Sequence, residues 1–223
     1  WAHPVEIYQN NVIAQVNLLE ALRAVGPSVT KVVIASSSEV YGMVAASEVP
    51  IREEQPFRPL SPYAVSKITQ DMMALQYFRS WELPIVRARP FNTEGPRRGV
   101  HFAPSNFCWQ VALAEAGARE PVIHAGTLTT KRDFTDVRDI VRGYWTLLEL
   151  GVPGEAYNMG SGVATEIGDI LSAVIGMAAV PMRAEYEPGR ARPSDVPLLM
   201  AYATKIRALW WKPTIPLSVT LAD

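Results

Sequence analysis

Cysteine is almost absent from this 223-residue chain: Cys108 is the only one, and histidine occurs three times, at His3, His101 and His124. One cysteine excludes an internal disulfide and any cysteine-rich metal centre, and it suits a reducing compartment. The scattered histidines show no ligand spacing, so no metal site is expected. An excess of charge of either sign is also lacking. The 21 Lys and Arg against 22 Asp and Glu leave a net charge of -1, which predicts no bulk attraction to nucleic acid or to an anionic membrane. No apolar stretch approaches the roughly 20 residues of a membrane span. The first residues lack the basic-then-apolar form of a signal peptide. A soluble, cytoplasmic protein is the expectation. With 48% hydrophobic residues the chain can bury a sizeable core, in one domain or one and a half.

What is present alternates between helical and extended patterns. Residues 4 to 24 read as an amphipathic helix, with Val12, Val16 and Leu19 on one stripe and Leu18 and Leu22 beside it. Lys31 to Ala35 is short, continuous and β-branched, as for a strand covered on both faces. Residues 43 to 60 form a polar, Pro-containing loop, long enough to suggest a substrate loop. A helix from Pro62 to about Trp81 and a strand from Leu83 to Arg89, broken by Pro90, complete an α/β alternation that predicts a parallel sheet. Beyond Asn92 the pattern loosens. Helices are expected from about Ser105 to Ala116, from Val137 to Leu150 and over 166–178, with strands at Pro121–His124, Ala156–Met159 and Met182–Tyr186. The predicted division is a sheet domain over 1–92 and a smaller lobe over 93–223, with segments around 121–150 returning to the sheet domain.

Within Ser61-Pro62-Tyr63-Ala64-Val65-Ser66-Lys67 a tyrosine and a lysine stand four apart. On a helix they share one face. An ammonium there can favour tyrosinate over a tyrosine that otherwise titrates near ~10. Ser61 suits the helix cap and Pro62 its first position, which places the pair in the first turns.

Around this pair the chain resembles the extended short-chain dehydrogenase/reductase superfamily, the nucleotide-sugar epimerases and dehydratases. Asn11-Val12 with Asn17-Leu18-Leu19-Glu20-Ala21 resembles the helix before that family's catalytic strand. Ser36-Ser37-Ser38-Glu39-Val40-Tyr41-Gly42 resembles its catalytic-serine segment, and Ser61-Pro62-Tyr63 with Ser66-Lys67 its active-site helix. Arg89-Pro90-Phe91-Asn92 with Gly95-Pro96 resembles the loop that touches nicotinamide and substrate. Arg132-Asp133-Phe134-Thr135-Asp136-Val137-Arg138-Asp139 and Tyr157-Asn158-Met159-Gly160-Ser161-Gly162 are similar to further family blocks. Gly95-Pro96-Arg97-Arg98-Gly99, the Arg132 block and Arg190-Ala191-Arg192-Pro193-Ser194-Asp195 look most like the GDP-sugar branch, which holds GDP-mannose 4,6-dehydratases and GDP-4-keto-6-deoxymannose reductases.

The resemblance implies a Rossmann-like doubly wound parallel sheet with a smaller α/β substrate lobe. It also implies NAD or NADP as cofactor and a nucleotide-diphosphate hexose as substrate. Tyr63 would be the base that removes a sugar hydroxyl proton, Lys67 would lower its pKa and bond the nicotinamide ribose, and Ser37 would hydrogen-bond the reacting hydroxyl. A strand-end serine satisfying its own backbone is the plainer reading of Ser37. Glu39, two residues on, would project to the same side if the strand persists, and would act on the C5 proton. Ser36, Pro90 and Asn92 join Tyr63 and Lys67 as cofactor contacts. Arg132 and Arg192 suit the diphosphate, because guanidinium forks match phosphate oxygens in pairs. Arg98 and Asn92 are further substrate candidates, and Asp195 would read a sugar hydroxyl or pair with Arg192. The helices at 4–24 and 62–80 resemble those of a family dimer interface.

Three positions depart from the family pattern: Ala14 and Trp210 where glycine is usual, and Tyr202 where aspartate is. A larger departure is that no Gly-x-x-Gly-x-x-Gly turn, which holds the cofactor pyrophosphate at a helix amino terminus, occurs in the sequence. A fragment, a truncated gene product or a chain given without its amino-terminal part is therefore expected. A non-catalytic binding remnant stands as the alternative to an enzyme.

Overall fold

A computed structural model of the chain describes residues 3–190 and 196–223. Arg192 and Asp195 lie outside the described residues. In chain order the elements begin with α1 (Pro4–Tyr8), a π-helical turn (Gln9–Ile13), α2 (Ala14–Val25), β1 (Val32–Ala35), α3 (Pro62–Trp81) and β2 (Ile85–Pro90). Next come β3 (Asn92–Glu94), α4 (Ala103–Glu115), β4 (Val122–Ala125), β5 (Lys131–Asp136) and α5 (Val137–Leu150). The chain continues with β6 (Ala156–Met159), β7 (Ala164–Glu166), α6 (Ile167–Met177), β8 (Arg183–Tyr186), β9 (Leu198–Leu199), α7 (Thr204–Arg207) and α8 (Leu217–Ala222).

Alternation along β1 and β2 sets the layers, because successive strand side chains face opposite ways. Val32, Ile34 and Ile85 pack with Leu19 of α2 and with Ala74 and Tyr77 of α3. Val33, Val86 and Ala88 pack on the other side with Ile140 and Leu147 of α5. Helices thus cover both faces of a parallel sheet in the order β1-β2-β6. This is the α/β, Rossmann-like architecture that the sequence predicts. A second core gathers α4, α6, β4 and β5 around Phe107, Ile123, Phe134 and Ile170, with β4 and β8 paired in parallel.

Several local expectations need correction. Pro90 does not break β2 but ends it, facing Met159 of β6, and a strand's last residue needs no further ladder donor. Strands β3, β5 and β7 escape a reading of the sequence because they are polar and short; β5 carries Lys131, Arg132 and Asp133 in a row. The helix at 4–24 buries Leu19 and Gln15, while Leu18 is exposed. Its π-helical turn leaves the Asn11 carbonyl accepting from the Gln70 amide of α3 at 2.8 Å. The segment at 43–60 is a strap and not an open substrate loop. Arg58 grips Glu48 through two bonds of 2.6 and 2.9 Å. Ile51 is fully buried and exchanges backbone bonds with Met200 and Tyr202, both 2.8 Å. Only the end of this segment, at Leu60, reaches the large cavity described next.

Candidate active site

The site begins where β1 stops. Ser36 N still bonds the Ala88 carbonyl at 2.7 Å, but Ser37 turns the chain by capping a 3-10 turn over Ser38–Tyr41, its Oγ accepting from Glu39 N at 3.2 Å. Gly42 closes the turn at φ 56, and a Cβ there would lie 1.5 Å from the Arg58 carbonyl oxygen. Only glycine fits. The strand therefore does not persist to Glu39. That residue reaches the cavity through the turn, not through strand alternation.

Helix α3 starts as its sequence dictates. Ser61 Oγ accepts from Ala64 N at 3.0 Å and Pro62 occupies the first position, a cap worth ~1 kcal/mol. Tyr63 thus sits in the first turn, with part of its ring exposed (41%) and its hydroxyl turned to the cavity beside Ser37. Burial pushes the Tyr63 pKa up, the Ser37 hydrogen bond and the Arg98 charge pull it down, and the Glu39 charge pushes it up. Lys67 lies on the same helix face, its Nζ 5.8 Å from the Tyr63 ring centroid. The ammonium, however, donates to the Ala35 carbonyl at 3.0 Å, and burial lowers its pKa. On balance the Tyr63 pKa stands above its ordinary value, with burial the largest cause and the Arg98 charge acting against it.

Arg98 follows the tight Gly95-Pro96 turn and lies 3.6 Å over the Phe102 ring. Its Nε is 3.6 Å from Glu94. Glu94 is 3% exposed, and burial pushes its pKa up to about 7 against the opposing Arg98 charge. Arg132 stands on β5 beside Asp133, which is fully buried and ties down the other family block. Asp133 accepts from Ser161 N (2.7 Å), Ser161 Oγ (2.6 Å), Gly162 N (2.9 Å) and Ala201 N (3.0 Å). Burial raises the Asp133 pKa while these bonds oppose it.

A cavity of about 1440 Å³ opens at the carboxyl ends of β1 and β2, between the sheet and the second core. Ser36, Ser37, Glu39 and Tyr63 line one side of it, and Pro90, Asn92, Arg98 and Arg132 also line it. Lys67 is not in its wall. Glu94, His124 and Arg190 are lining residues that sequence reasoning passed over. For Glu94 the signal was its place between Asn92 and Gly95-Pro96. Arg190 opens the block that resembles the GDP-sugar branch, and nothing local marked His124. The carboxyl end of parallel strands is where open α/β sheets bind ligands. Among the described residues, no group of three or more His, Cys, Asp or Glu is placed to hold a metal ion, and no helix is long and apolar enough to cross a membrane.

A family model described as GDP-mannose 4,6 dehydratase matches residues 1–223. The chain belongs to this family. Its relatives include the GDP-6-deoxy-D-mannose reductase of Pseudomonas aeruginosa, 32% identical over 98% of this chain and 72% of that protein. Another is the GDP-mannose 4,6-dehydratase of Sinorhizobium fredii, 30% identical over 91% of this chain and 62% of that one. Among solved structures, RMD from Pseudomonas aeruginosa complexed with NADPH superposes with a TM-score of 0.93 at 30% identity, covering 99% of this chain and 73% of that one. The Thermus thermophilus UDP-glucose 4-epimerase complex with NAD gives 0.82 at 28% identity, covering 96% and 68%. Members of this family are thus sugar-nucleotide enzymes, and both solved neighbours hold a nicotinamide dinucleotide.

Proposed function

We propose that this chain carries the reaction centre of a nucleotide-sugar 4,6-dehydratase acting on a GDP-hexose with NAD or NADP. The observation that carries this reading is the joining of Tyr63, Ser37 and Glu39 in the wall of one cavity. The residues present fit the nicotinamide end of the cofactor: Ser36, Tyr63, Pro90 and Asn92 line the cavity, and Lys67 would turn from the Ala35 carbonyl to bond the ribose. The phosphate-binding glycine turn is not in the sequence. The chemistry the nicotinamide would supply there is hydride removal at C4 and hydride return at C6. Tyr63, bonded to Ser37, accepts the proton of the C4 hydroxyl. Glu39 takes the C5 proton and passes it to the C6 hydroxyl, which leaves as water. Once C6 has its hydride, C5 recovers a proton from solvent. Tyr63 releases to solvent the proton it took, which closes the balance. Arg98 and Arg132 offer guanidinium forks to the diphosphate.

Incubation with GDP-mannose and NAD(P), read by mass spectrometry, tests this: the product is one water lighter. A second reading, an NADPH-dependent reductase of the 4-keto sugar, draws on the likeness to the Pseudomonas reductase, whose coverage of this chain is 98%. A reductase converts the 4-keto sugar without losing water and leaves GDP-mannose untouched. Failure of NAD(P) to quench tryptophan fluorescence at micromolar concentration would instead favour the binding remnant.

The partner is a second copy of the chain. Val5, Ile13 and Leu18 on the amino-terminal helices, with Val65 and Met72 on α3, expose apolar side chains on the two helices named from the sequence. Light scattering at micromolar concentration should give twice the monomer mass, and a monomer counts against the pairing.

A further inference from the structure

Arg89, on β2, occupies none of the positions that touch the cavity, yet it joins both segments that do. Its Nε and Nη2 bond the two oxygens of Asp71 on α3, at 2.8 and 2.9 Å. Its Nη1 bonds Tyr41 Oη at 2.9 Å and the Glu53 carbonyl at 2.8 Å. Asp71 is fully buried and Arg89 nearly so. Asp71 follows Lys67 by four residues as Lys67 follows Tyr63, so all three share the helix face turned to the sheet. Arg87, the next residue on that face of β2, adds a 2.8 Å bond to Asp71. Burial works against the Asp71 charge, but the Arg89 and Arg87 bonds outweigh it and hold its pKa below the ordinary value.

Tyr41 is the last residue of the 3-10 turn that begins behind Ser37 and contains Glu39. Its hydroxyl donates to Asn158 Oδ1 at 2.7 Å. Asn158 is anchored in turn by the Glu53 carboxylate (2.8 Å) and the Ile51 carbonyl (2.9 Å). The phenol thus pins the end of the turn, and the guanidinium pins the phenol.

We propose that Arg89 is a positioning residue that holds the Ser37–Tyr41 turn and the Tyr63 helix in register, keeping the Ser37 hydroxyl against the Tyr63 hydroxyl. The planar fork suits this task because its donors leave in fixed directions, two toward the helix and two toward the turn and strap. A lysine has the charge without the fork. The inference rests on the reading of Tyr63 as the base, and its test therefore uses a readout that needs no turnover.

The test is the titration of Tyr63, followed as tyrosinate absorbance and taken as the difference between each protein and its Tyr63→Phe counterpart. The groups facing the Tyr63 hydroxyl are Ser37 and Glu39 of the turn and Arg98 beyond β3, with Lys67 on its own helix and Tyr144 of α5 nearby. The variants leave all five in place. Tyr41→Phe removes the link to the turn and keeps the Arg89–Asp71 pair; Arg89→Lys keeps charge and loses the fork. Both should raise the Tyr63 titration point, because the Ser37 bond that lowers it is loosened. If the chain turns over, kcat should fall about tenfold with KM within about twofold, as for a misplaced catalytic group. A Tyr63 curve that superimposes on the parent's in a folded Tyr41→Phe protein overturns the proposal and leaves Arg89 a stabilising residue only. Should Tyr41→Phe fail to fold, the same curve measured on Arg89→Lys decides the question. Absence of activity in the parent bears on the proposed function and leaves this readout intact.

Discussion

The Lys67 ammonium bonds the carbonyl of Ala35, the last residue of β1, at 3.0 Å and lies 5.8 Å from the Tyr63 ring centroid. The Arg98 charge opposes the burial that raises the Tyr63 pKa. Replacing Arg98 by Met should therefore raise the Tyr63 pKa more than replacing Lys67 by Met. Difference titration of tyrosinate absorbance checks the order, and a larger effect at Lys67 would refute it.

Glu94 makes stability depend on pH in a stated direction. Its folded pKa, raised by burial to about 7, exceeds that of an unfolded glutamate near ~4.3. Between these values the folded chain holds a proton that the unfolded chain has released. Folding stability from this residue is thus full below pH ~4 and is lost as pH rises through about 7, by on the order of 3 kcal/mol. Glu94→Gln should flatten that slope. Urea unfolding midpoints at pH 5 and pH 8 measure it, and an unchanged difference between parent and variant would show the residue ionises freely in the fold.

Trp210 sits at φ 65 with 92% of its surface exposed. A left-handed backbone strains a bulky residue and suits glycine, and so exposed an indole gains little from packing. Trp210→Gly should stabilise the chain by about 1 kcal/mol despite glycine's unfolded-state entropy. A lowered melting temperature would mean that the ring packs on something outside these residues.

Gly160 cannot take a side chain. A Cβ there would lie 2.6 Å from the Ala201 Cβ and 2.6 Å from Asp133 Oδ2. Asp133 is fixed by four hydrogen bonds, so it cannot yield. Gly160→Ala should cost about 1–3 kcal/mol by overpacking, read from chemical denaturation. An unaltered midpoint would show that the Asp133 knot moves freely.

Much of this arrangement was legible in the sequence because it is local. Ser61 and Pro62 announce the start of α3, and the four-residue spacing of Tyr63 and Lys67 places them on one face. The apolar run ending at Ala35 marks β1. The destinations of polar groups were not legible. Lys67 reaching Ala35, Glu39 turning out of the strand, and Asp133 gathering Ser161, Gly162 and Ala201 all depend on contacts distant in sequence. The polar strands β3, β5 and β7 exist through pairing and not through propensity. Of the departures from the family pattern, Tyr202 is absorbed by Arg52, which stacks 3.9 Å over its ring. Trp210 is not absorbed.

Glu39 and Tyr63 are assigned here to one sugar held in one cavity. Incubation of the chain with GDP-mannose and NAD(P) in deuterium oxide, with the product read by mass spectrometry, tests that assignment directly. The expected product has lost one water and carries solvent deuterium at C5, and Glu39→Gln should abolish both changes. Intact GDP-mannose, or water loss that persists in Glu39→Gln, would contradict the assignment.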